Sequence, residues 1–343
     1  MKAAIKERPE PGISVKDVPI ARADHDEVLM RVRRASICGS DIGLFDYSAA
    51  YAGFAKLPTI PGHEFAGEVA QVGEGVTEFV IGEPVVAESI LTCGNCKFCL
   101  SGQSNICVNF RLFGIHTNGG FAEYVSVPRK HLHHMKDGLT FEQAAVIEPL
   151  SVCCHAIEDV AKVNAADSLV VVGPGPIGLL AAQVARAKGC EHVLVSGIEV
   201  DEKRLAIAQG LRFDVVDSTK EDLVRKVMDS SSGLGVDVAV VAAGSATALN
   251  QACELVRKGG KILNIAIYAH PIELGVTSLV RREMMLLGTF ASTGNNYERA
   301  MSLAVEGKVK LQPLITHSFP LDDARRALET AKAREGCKVQ LVM

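Results

Sequence analysis

Four cysteines, Cys93, Cys96, Cys99 and Cys107, are separated by gaps of two, two and seven residues, so a single loop can turn all four sulfurs toward one point. Thiolates in that pattern suit a structural zinc ion, which takes four sulfur ligands tetrahedrally without geometric penalty. The competing chemistry is a pair of disulfides, which calls for an oxidising compartment. The opening Met1-Lys2-Ala3-Ala4-Ile5 instead runs into charged residues and Pro9, without the apolar stretch of an export signal. The spacing therefore predicts a zinc lobe, and ten cysteines without an export signal predict a reducing cytoplasm.

A second set of ligand-type residues lies outside the lobe. Cys38 in Cys38-Gly39-Ser40-Asp41, His63 and Glu64 in Gly62-His63-Glu64, and Glu148 in Glu148-Pro149-Leu150-Ser151 offer a thiolate, an imidazole and two carboxylates. Taken singly, each has an ordinary explanation: a core cysteine, a turn histidine, a charge at a helix start.

Gly173-Pro174-Gly175-Pro176-Ile177-Gly178 carries the G-x-G-x-x-G spacing, after the apolar run 169–172 and before a helical stretch at 177–188. In that context the glycines allow a tight turn and a close backbone approach, so that the helix N-terminus faces a pyrophosphate. At the end of the next strand Gly197 stands where an acidic residue would hold the adenosine ribose. Glu199 or Asp201 can take the ribose hydroxyls, and Lys203 or Arg204 can meet a 2′-phosphate. The two carboxylates tilt the expectation slightly to NAD over NADP, with Ile265 as a further cofactor contact.

These residues must be positioned by two kinds of element. Residues 1–152 are rich in Val, Gly and Pro with short strand-like runs at 28–32 and 67–72, a barrel or sandwich rhythm. From 142 to 161 the pattern becomes helix-permissive. Apolar strands then recur at 169–172, 193–196, 214–216, 236–241, 261–267 and 285–290 with helical spacers between them. That alternation predicts an α/β, doubly wound parallel sheet over 153–289. After it come helix, loop, helix and one strand at 338–343, and a lone strand cannot make a domain, so 290–343 is expected to return to the first domain.

With 48% hydrophobic and 22% charged residues in 343, the chain has the composition of an ordinary globular protein with a large core. A net charge of −4 without a dense Lys/Arg block argues against nucleic acid and anionic membranes as partners. No apolar run approaches the roughly 18 residues needed to span a bilayer. A small-molecule partner is expected.

In order along the chain, Cys-Gly-Ser-Asp, Gly-His-Glu, the four-cysteine lobe, Gly119-Gly120-Phe121-Ala122-Glu123-Tyr124, Glu148-Pro149 and the glycine loop closely resemble the zinc-dependent medium-chain alcohol and polyol dehydrogenases, over essentially the whole sequence. The resemblance implies a GroES-like β-rich catalytic domain interrupted by a Rossmann domain. The Glu-Pro segment is similar to the sorbitol and threonine dehydrogenase branches, where a glutamate replaces a second zinc-binding cysteine. It implies that Cys38 and His63 bind a catalytic zinc, with Glu64 and Glu148 near it directly or through water. Ser40 would carry the alcohol proton away and Asp41 would orient the His63 ring. The resemblance also implies a homodimer or homotetramer, for which the apolar stretches 262–267 and 272–287 offer an edge that could pair across a two-fold axis.

The chain departs from that pattern at Gly43, where many relatives carry a histidine that passes the proton to solvent, at Leu44, and at Ala291-Ser292 in place of the Arg-Tyr of sorbitol dehydrogenases. Water or Glu64 is left to complete the proton route. Tyr47, Tyr51, Arg111, Phe113, Phe290 and Asn295 are candidate pocket residues by neighbourhood. Cys153, Cys154, Cys190, Cys253 and Cys337 read as core filling. His131, His133 and His134 read as solvated histidines with no matching carboxylates.

Overall fold

The computed structural model describes residues 1–343, in two compact units. The first comprises residues 1–151, 291–305 and 311–343. Its main sheet has seven strands, running Ile315–Pro320, Lys338–Val342, Glu27–Ser36, Glu64–Val72, Pro84–Ala87 and Leu132–His134, with Tyr124–Pro128 also paired to Glu27–Ser36. Val28, Met30, Val32, Phe65, Val69, Phe121 and Leu341 are buried together in its core.

The register of three strands sets the position of the ligand-type residues. Ser36 faces Gln340 on one side and Glu64 on the other, both antiparallel. Cys38 lies two residues past Ser36, His63 lies one before Glu64, and Lys338 lies two before Gln340, so all three strand ends bring chemistry to one edge of the sheet. The Ile37 amide bonds Val339 O at 2.9 Å and closes this corner. Glycine is required beside it: Gly62 has φ of +94°, and a Cβ on Gly119 would stand 2.0 Å from the Gly62 carbonyl oxygen.

The second unit comprises residues 152–290 and 306–310. Its six strands are all parallel, in the order Asp214–Asp217, Val193–Gly197, Leu169–Val172, Val236–Val241, Val256–Asn264, Met285–Gly288. This order, with the first strand central, is the doubly wound arrangement whose ligand crevice lies at the carboxyl ends of the strands.

Several sequence expectations are corrected. Residues 306–310 go with the second unit instead of returning with the rest of the tail, because the Gln183 side chain bonds both the amide (2.7 Å) and the carbonyl (3.3 Å) of Lys310. The tail holds two strands rather than one. Ile315–Pro320 pairs parallel with Lys338–Val342; its Ile-Thr-His-Ser-Phe-Pro run alternates, but half of its side chains are exposed and it closes on proline. The helix-permissive stretch 142–161 is helical in three pieces: Phe141–Ala144 and Ile147–Cys154 are α-helical, and His155–Val160 widens into a π-helix. Ile265 falls just past its strand, its amide and that of Ala266 both bonding Val241 O.

Candidate active site and metal centres

Cys38 follows the strand Glu27–Ser36 in extended backbone and caps the short helix Gly39–Phe45. Asp41, in the first turn of that helix, turns its carboxylate back to accept the amides of Cys38 (2.9 Å) and Gly62 (3.2 Å). One carboxylate thus ties the two metal-ligand segments together. The sulfur of Cys38, an imidazole nitrogen of His63 and a carboxylate oxygen of Glu64 lie within 4.8 Å of one another. Asp41 Oδ1 stands 3.8 Å from His63 Nδ1, and that nitrogen is buried without a hydrogen-bond partner. On the other ring nitrogen, Ser40 Oγ lies 3.4 Å from Nε2.

Glu148 is also buried but stands outside the 4.8 Å group. Burial pushes its pKa up to about 7, with Glu64 adding to the rise while His63, Ser89 and Lys338 oppose it. The His63 pKa rises too, for a different reason: burial disfavours its charge, yet Asp41, Cys38 and Glu148 raise its pKa well above the usual imidazole value. Burial likewise raises Asp41. A thiol and three carboxyl groups thus crowd one imidazole and one lysine, an excess of anionic ligands that fits a divalent cation.

That lysine is the residue sequence reasoning missed. Lys338 Nζ is ion-paired with Glu64 Oε2 and donates to Ile37 O at 3.2 Å, with side-chain exposures of 3% for Lys338 and 1% for Glu64. A lysine opening the apolar strand Lys-Val-Gln-Leu-Val gives no local sign of turning inward, since lysines are seldom buried. Ser89 and Tyr297 were missed as well. The Ser89 hydroxyl bonds Glu148, and its amide donates to the Tyr297 hydroxyl at 2.9 Å.

The four cysteines converge as their spacing predicts. All are free thiols, with Sγ–Sγ separations of 3.4 Å for Cys93–Cys107, 3.5 Å for Cys96–Cys99, 3.9 Å for Cys96–Cys107 and 4.0 Å for Cys93–Cys99. A tetrahedral Zn–S distance of about 2.3 Å requires sulfurs about 3.8 Å apart, whereas a disulfide needs about 2.05 Å. The amides of Cys93 and Asn109 point at Cys107 Sγ, each at 3.4 Å. Those of Cys99 and Val108 lower the Cys96 pKa to about 6, so the backbone is set to receive thiolate charge.

The histidines beside this lobe are not solvated singly, and they do have matching carboxylates. His131 Nε2 accepts the Thr92 amide at 3.2 Å, which leaves Nδ1–H to donate to Glu88 Oε2 at 2.8 Å. His133 bridges Glu88 (3.0 Å) and Glu298 (3.1 Å) and stacks on Tyr297 with centroids 5.2 Å apart. His134 pairs with Glu83. The carboxylates come from residues 43 or more positions away, beyond the reach of local spacing.

In the second unit Gly173 has φ of +108°, and a Cβ on Gly178 would lie 2.0 Å from Gly173 O, which explains both glycines. The helix Pro176–Ala187 starts from Gly175, with Pro176 and Ile177 in its first turn. Arg204 Nη1 lies 4.0 Å from where a Gly175 Cβ would be and 3.8 Å from Asp201 Oδ1. Asp201 is buried, while Glu199 is exposed. Gly197 has no room for a side chain, since a Cβ would stand 2.8 Å from Pro174.

Comparison with known proteins decides the family. Residues 24–137 match the alcohol dehydrogenase GroES-like domain and residues 176–306 the zinc-binding dehydrogenase domain. An L-threonine 3-dehydrogenase of Bacillus licheniformis is 34% identical over 100% of this chain and 99% of its own. The chain belongs to the zinc-dependent medium-chain alcohol and polyol dehydrogenases. A sorbitol dehydrogenase of Halalkalibacterium halodurans is also 34% identical, over 99% of both chains. A D-arabitol-phosphate dehydrogenase of Enterococcus avium is 34% identical over 95% of this chain and 92% of its own. Among solved structures, a zinc-binding dehydrogenase from Sinorhizobium meliloti bound to NADP superposes with a TM-score of 0.90, at 30% identity, over 100% of this chain and 99% of its own.

This dehydrogenase is therefore a zinc-dependent, NAD(P)-linked enzyme that oxidises a small-molecule alcohol, with a GroES-like domain and a Rossmann sheet. No helix is long and apolar enough to cross a membrane. Of the candidate pocket residues, Tyr51 is brought to the site, against Gly43 and Ser40. Tyr47 is engaged with Lys6 at 5.5 Å, Phe113 packs in the core edge-on to Phe65, and Asn295 is exposed.

Proposed function

We propose that the enzyme oxidises a secondary alcohol of a polyol, sugar or sugar acid to the ketone, with Cys38, His63 and Glu64 holding the catalytic zinc and Glu148 beside it. The observation that carries this reading is the convergence of those three ligand atoms within 4.8 Å, with the Ser40 hydroxyl 3.4 Å from His63 Nε2. When bound, the zinc supplies Lewis acidity that lets a substrate hydroxyl ionise near neutral pH, and the dinucleotide supplies the hydride acceptor. The protein's own groups do the rest. Asp41 fixes the backbone of both ligand segments, Ser40 takes the hydroxyl proton, and Lys338 balances Glu64. Cys93, Cys96, Cys99 and Cys107 hold a second, structural zinc, supported by their tetrahedral separations.

Gly173, Gly175, Pro176, Ile177 and Gly178 cradle the pyrophosphate, and Gly197, Glu199, Arg204 and Ile265 flank the adenosine and nicotinamide halves. NAD is favoured slightly, because Glu199, Asp201 and Asp217 put carboxylates about the second strand's end, where a 2′-phosphate would be repelled. Amino-alcohol oxidation of the threonine type is the second reading, favoured by the 34% identity to L-threonine 3-dehydrogenase. Burial raises the pKa of the Glu148 carboxyl, and a carboxyl that holds its proton more readily suits a hydroxyl better than an ammonium group, which supports the polyol reading. The exposed strand Met285–Gly288, with Met285 and Leu286 more than 40% exposed, supports pairing with a second copy as a homodimer or homotetramer in the cytoplasm.

The test is nicotinamide absorbance with polyols, sugar acids, sugar phosphates and L-threonine against NAD and NADP, together with zinc content and light scattering. Turnover of a polyol or sugar acid with two zinc ions per chain is expected. Exclusive turnover of L-threonine would replace the first reading by the second, and a monomeric mass would remove the assembly.

A further inference from the structure

Ser40 has a second polar neighbour besides His63: it hydrogen-bonds the phenol of Tyr51. Tyr51 belongs to the turn that follows the helix Gly39–Phe45, and its ring fills the volume that Gly43 leaves beside Ser40. A Cβ on Gly43 would lie 2.3 Å and 2.6 Å from Tyr51 Cε2 and Cδ2. Glycine at 43 and tyrosine at 51 are thus two halves of one packing arrangement, although nothing in their spacing joins them. The turn is held by its own backbone. The Tyr51 amide bonds Ser48 O at 2.9 Å, and Tyr51 O accepts the amides of Phe54 and Ala55, each at 3.1 Å. The Tyr51 side chain is half-buried, while Ala52 and Gly53 next to it are exposed. Ser40 is half-buried as well, so the hydrogen-bonded pair of hydroxyls sits at the margin between the site and solvent.

We propose that Tyr51 is the group through which the substrate's hydroxyl proton leaves the site: Ser40 Oγ accepts it and passes its own proton to Tyr51 Oη, which gives its proton to solvent water. This rests on the alcohol-oxidation reading above. The step balances with the hydride, since the carbinol C–H electron pair goes to the dinucleotide and the O–H proton ends in solvent, leaving ketone, reduced dinucleotide and one proton. Tyr51 accepts and donates in the same event and does not itself ionise. Burial, with the Cys38 and Asp41 charges, raises its pKa, so it stays neutral throughout the working range. A neutral hydroxyl that is both donor and acceptor is what a relay requires.

The test is Tyr51→Phe, which keeps the ring against Gly43 and removes only the hydroxyl. On the zinc-loaded enzyme, kcat should fall about 100-fold at pH 6.5 to 7 with KM within about twofold. The deficit should shrink as pH rises, because hydroxide can then take the proton from Ser40 directly. A purely structural role would instead move KM or stability without that pH dependence. Adding Gly43→His to Tyr51→Ala should regain at least about tenfold, since the imidazole fits only once the ring is gone. Independently of turnover, tyrosines labelled with ¹³C at Cζ should show one resonance, absent in Tyr51→Phe, that moves in Ser40→Ala. A Tyr51→Phe enzyme with kcat within twofold of the unaltered protein and the same pH profile overturns the proposal alone, as does a Tyr51 resonance indifferent to Ser40→Ala. An unaltered protein that oxidises no alcohol in the panel overturns the parent reading, and this one with it.

Discussion

Replacing Lys338 by methionine should strand the Glu64 carboxylate. Both side chains are all but fully covered, at 3% and 1% exposure, and Lys338 Nζ also satisfies the Ile37 carbonyl. Methionine keeps the length of the stem but supplies no charge and no donor. Removing one partner of a buried pair typically costs about 3–5 kcal/mol, because the remaining charge is left uncompensated. For a unit of about 200 residues each kcal/mol moves the melting temperature by about 2–4 °C, so a drop of roughly 6–20 °C is expected. Lys338 has a raised pKa, so its share of the stability is fully present below the unfolded lysine value of about 10.4 and is lost only as pH rises through the higher folded value. Urea unfolding and calorimetry at pH 7.5 therefore read the whole effect. A bound divalent cation offsets part of the Glu64 charge, so the loss should deepen when the metal is chelated. Lys338→Met combined with Glu64→Gln should recover more than half of the loss, since a neutral amide does not require the cation. A single variant that loses less than about 1 kcal/mol, or a double variant no more stable than the single one, would refute the reasoning.

Cys99→Ser should release one of two zinc ions per chain and lower the melting temperature, yet leave turnover near normal at low temperature. Metal analysis beside activity checks this, and lost turnover with folding intact would count against a structural role. Glu148, with its folded pKa raised to about 7 against an ordinary 4.5, contributes stability that is fully present below 4.5 and lost as pH rises through 7. With the catalytic metal removed, unfolding curves at pH 5.5 and 8 should show that loss, and Glu148→Gln should flatten it. Gly178→Ala forces a methyl to within 2.0 Å of the Gly173 carbonyl and should weaken dinucleotide binding at least about tenfold while sparing zinc content, as fluorescence titration would show. Unchanged dinucleotide affinity would mean that the loop relaxes without consequence.

The parts of this molecule that were legible in its sequence are those written at short range. The four-cysteine spacing, the glycine loop between strand and helix, and the six apolar runs of the parallel sheet each depend on neighbours no more than 14 positions apart, where periodicity and turn chemistry are strong. What escaped was set at long range. Lys338 reaches Glu64 only because two strands flank Glu27–Ser36 in one register. Glu88 meets His131 and His133 across paired strands, and Tyr51 meets Gly43 through the packing of a turn on a helix. The strand Ile315–Pro320 was missed for a different reason: its period of two is plain, but half of its side chains are exposed and it ends in proline.

The strand Lys338–Val342 also has a meaning for folding. Gln340 meets Ser36 across 304 positions of sequence, and the same strand covers a carboxylate at position 64. The second unit, whose strands are contiguous in sequence, can form while the first still waits for its partner. Until that pairing is made, Glu27–Ser36 keeps an open edge and Glu64 lacks its cation, so the first unit's sheet and its ligand-bearing corner are completed in one event.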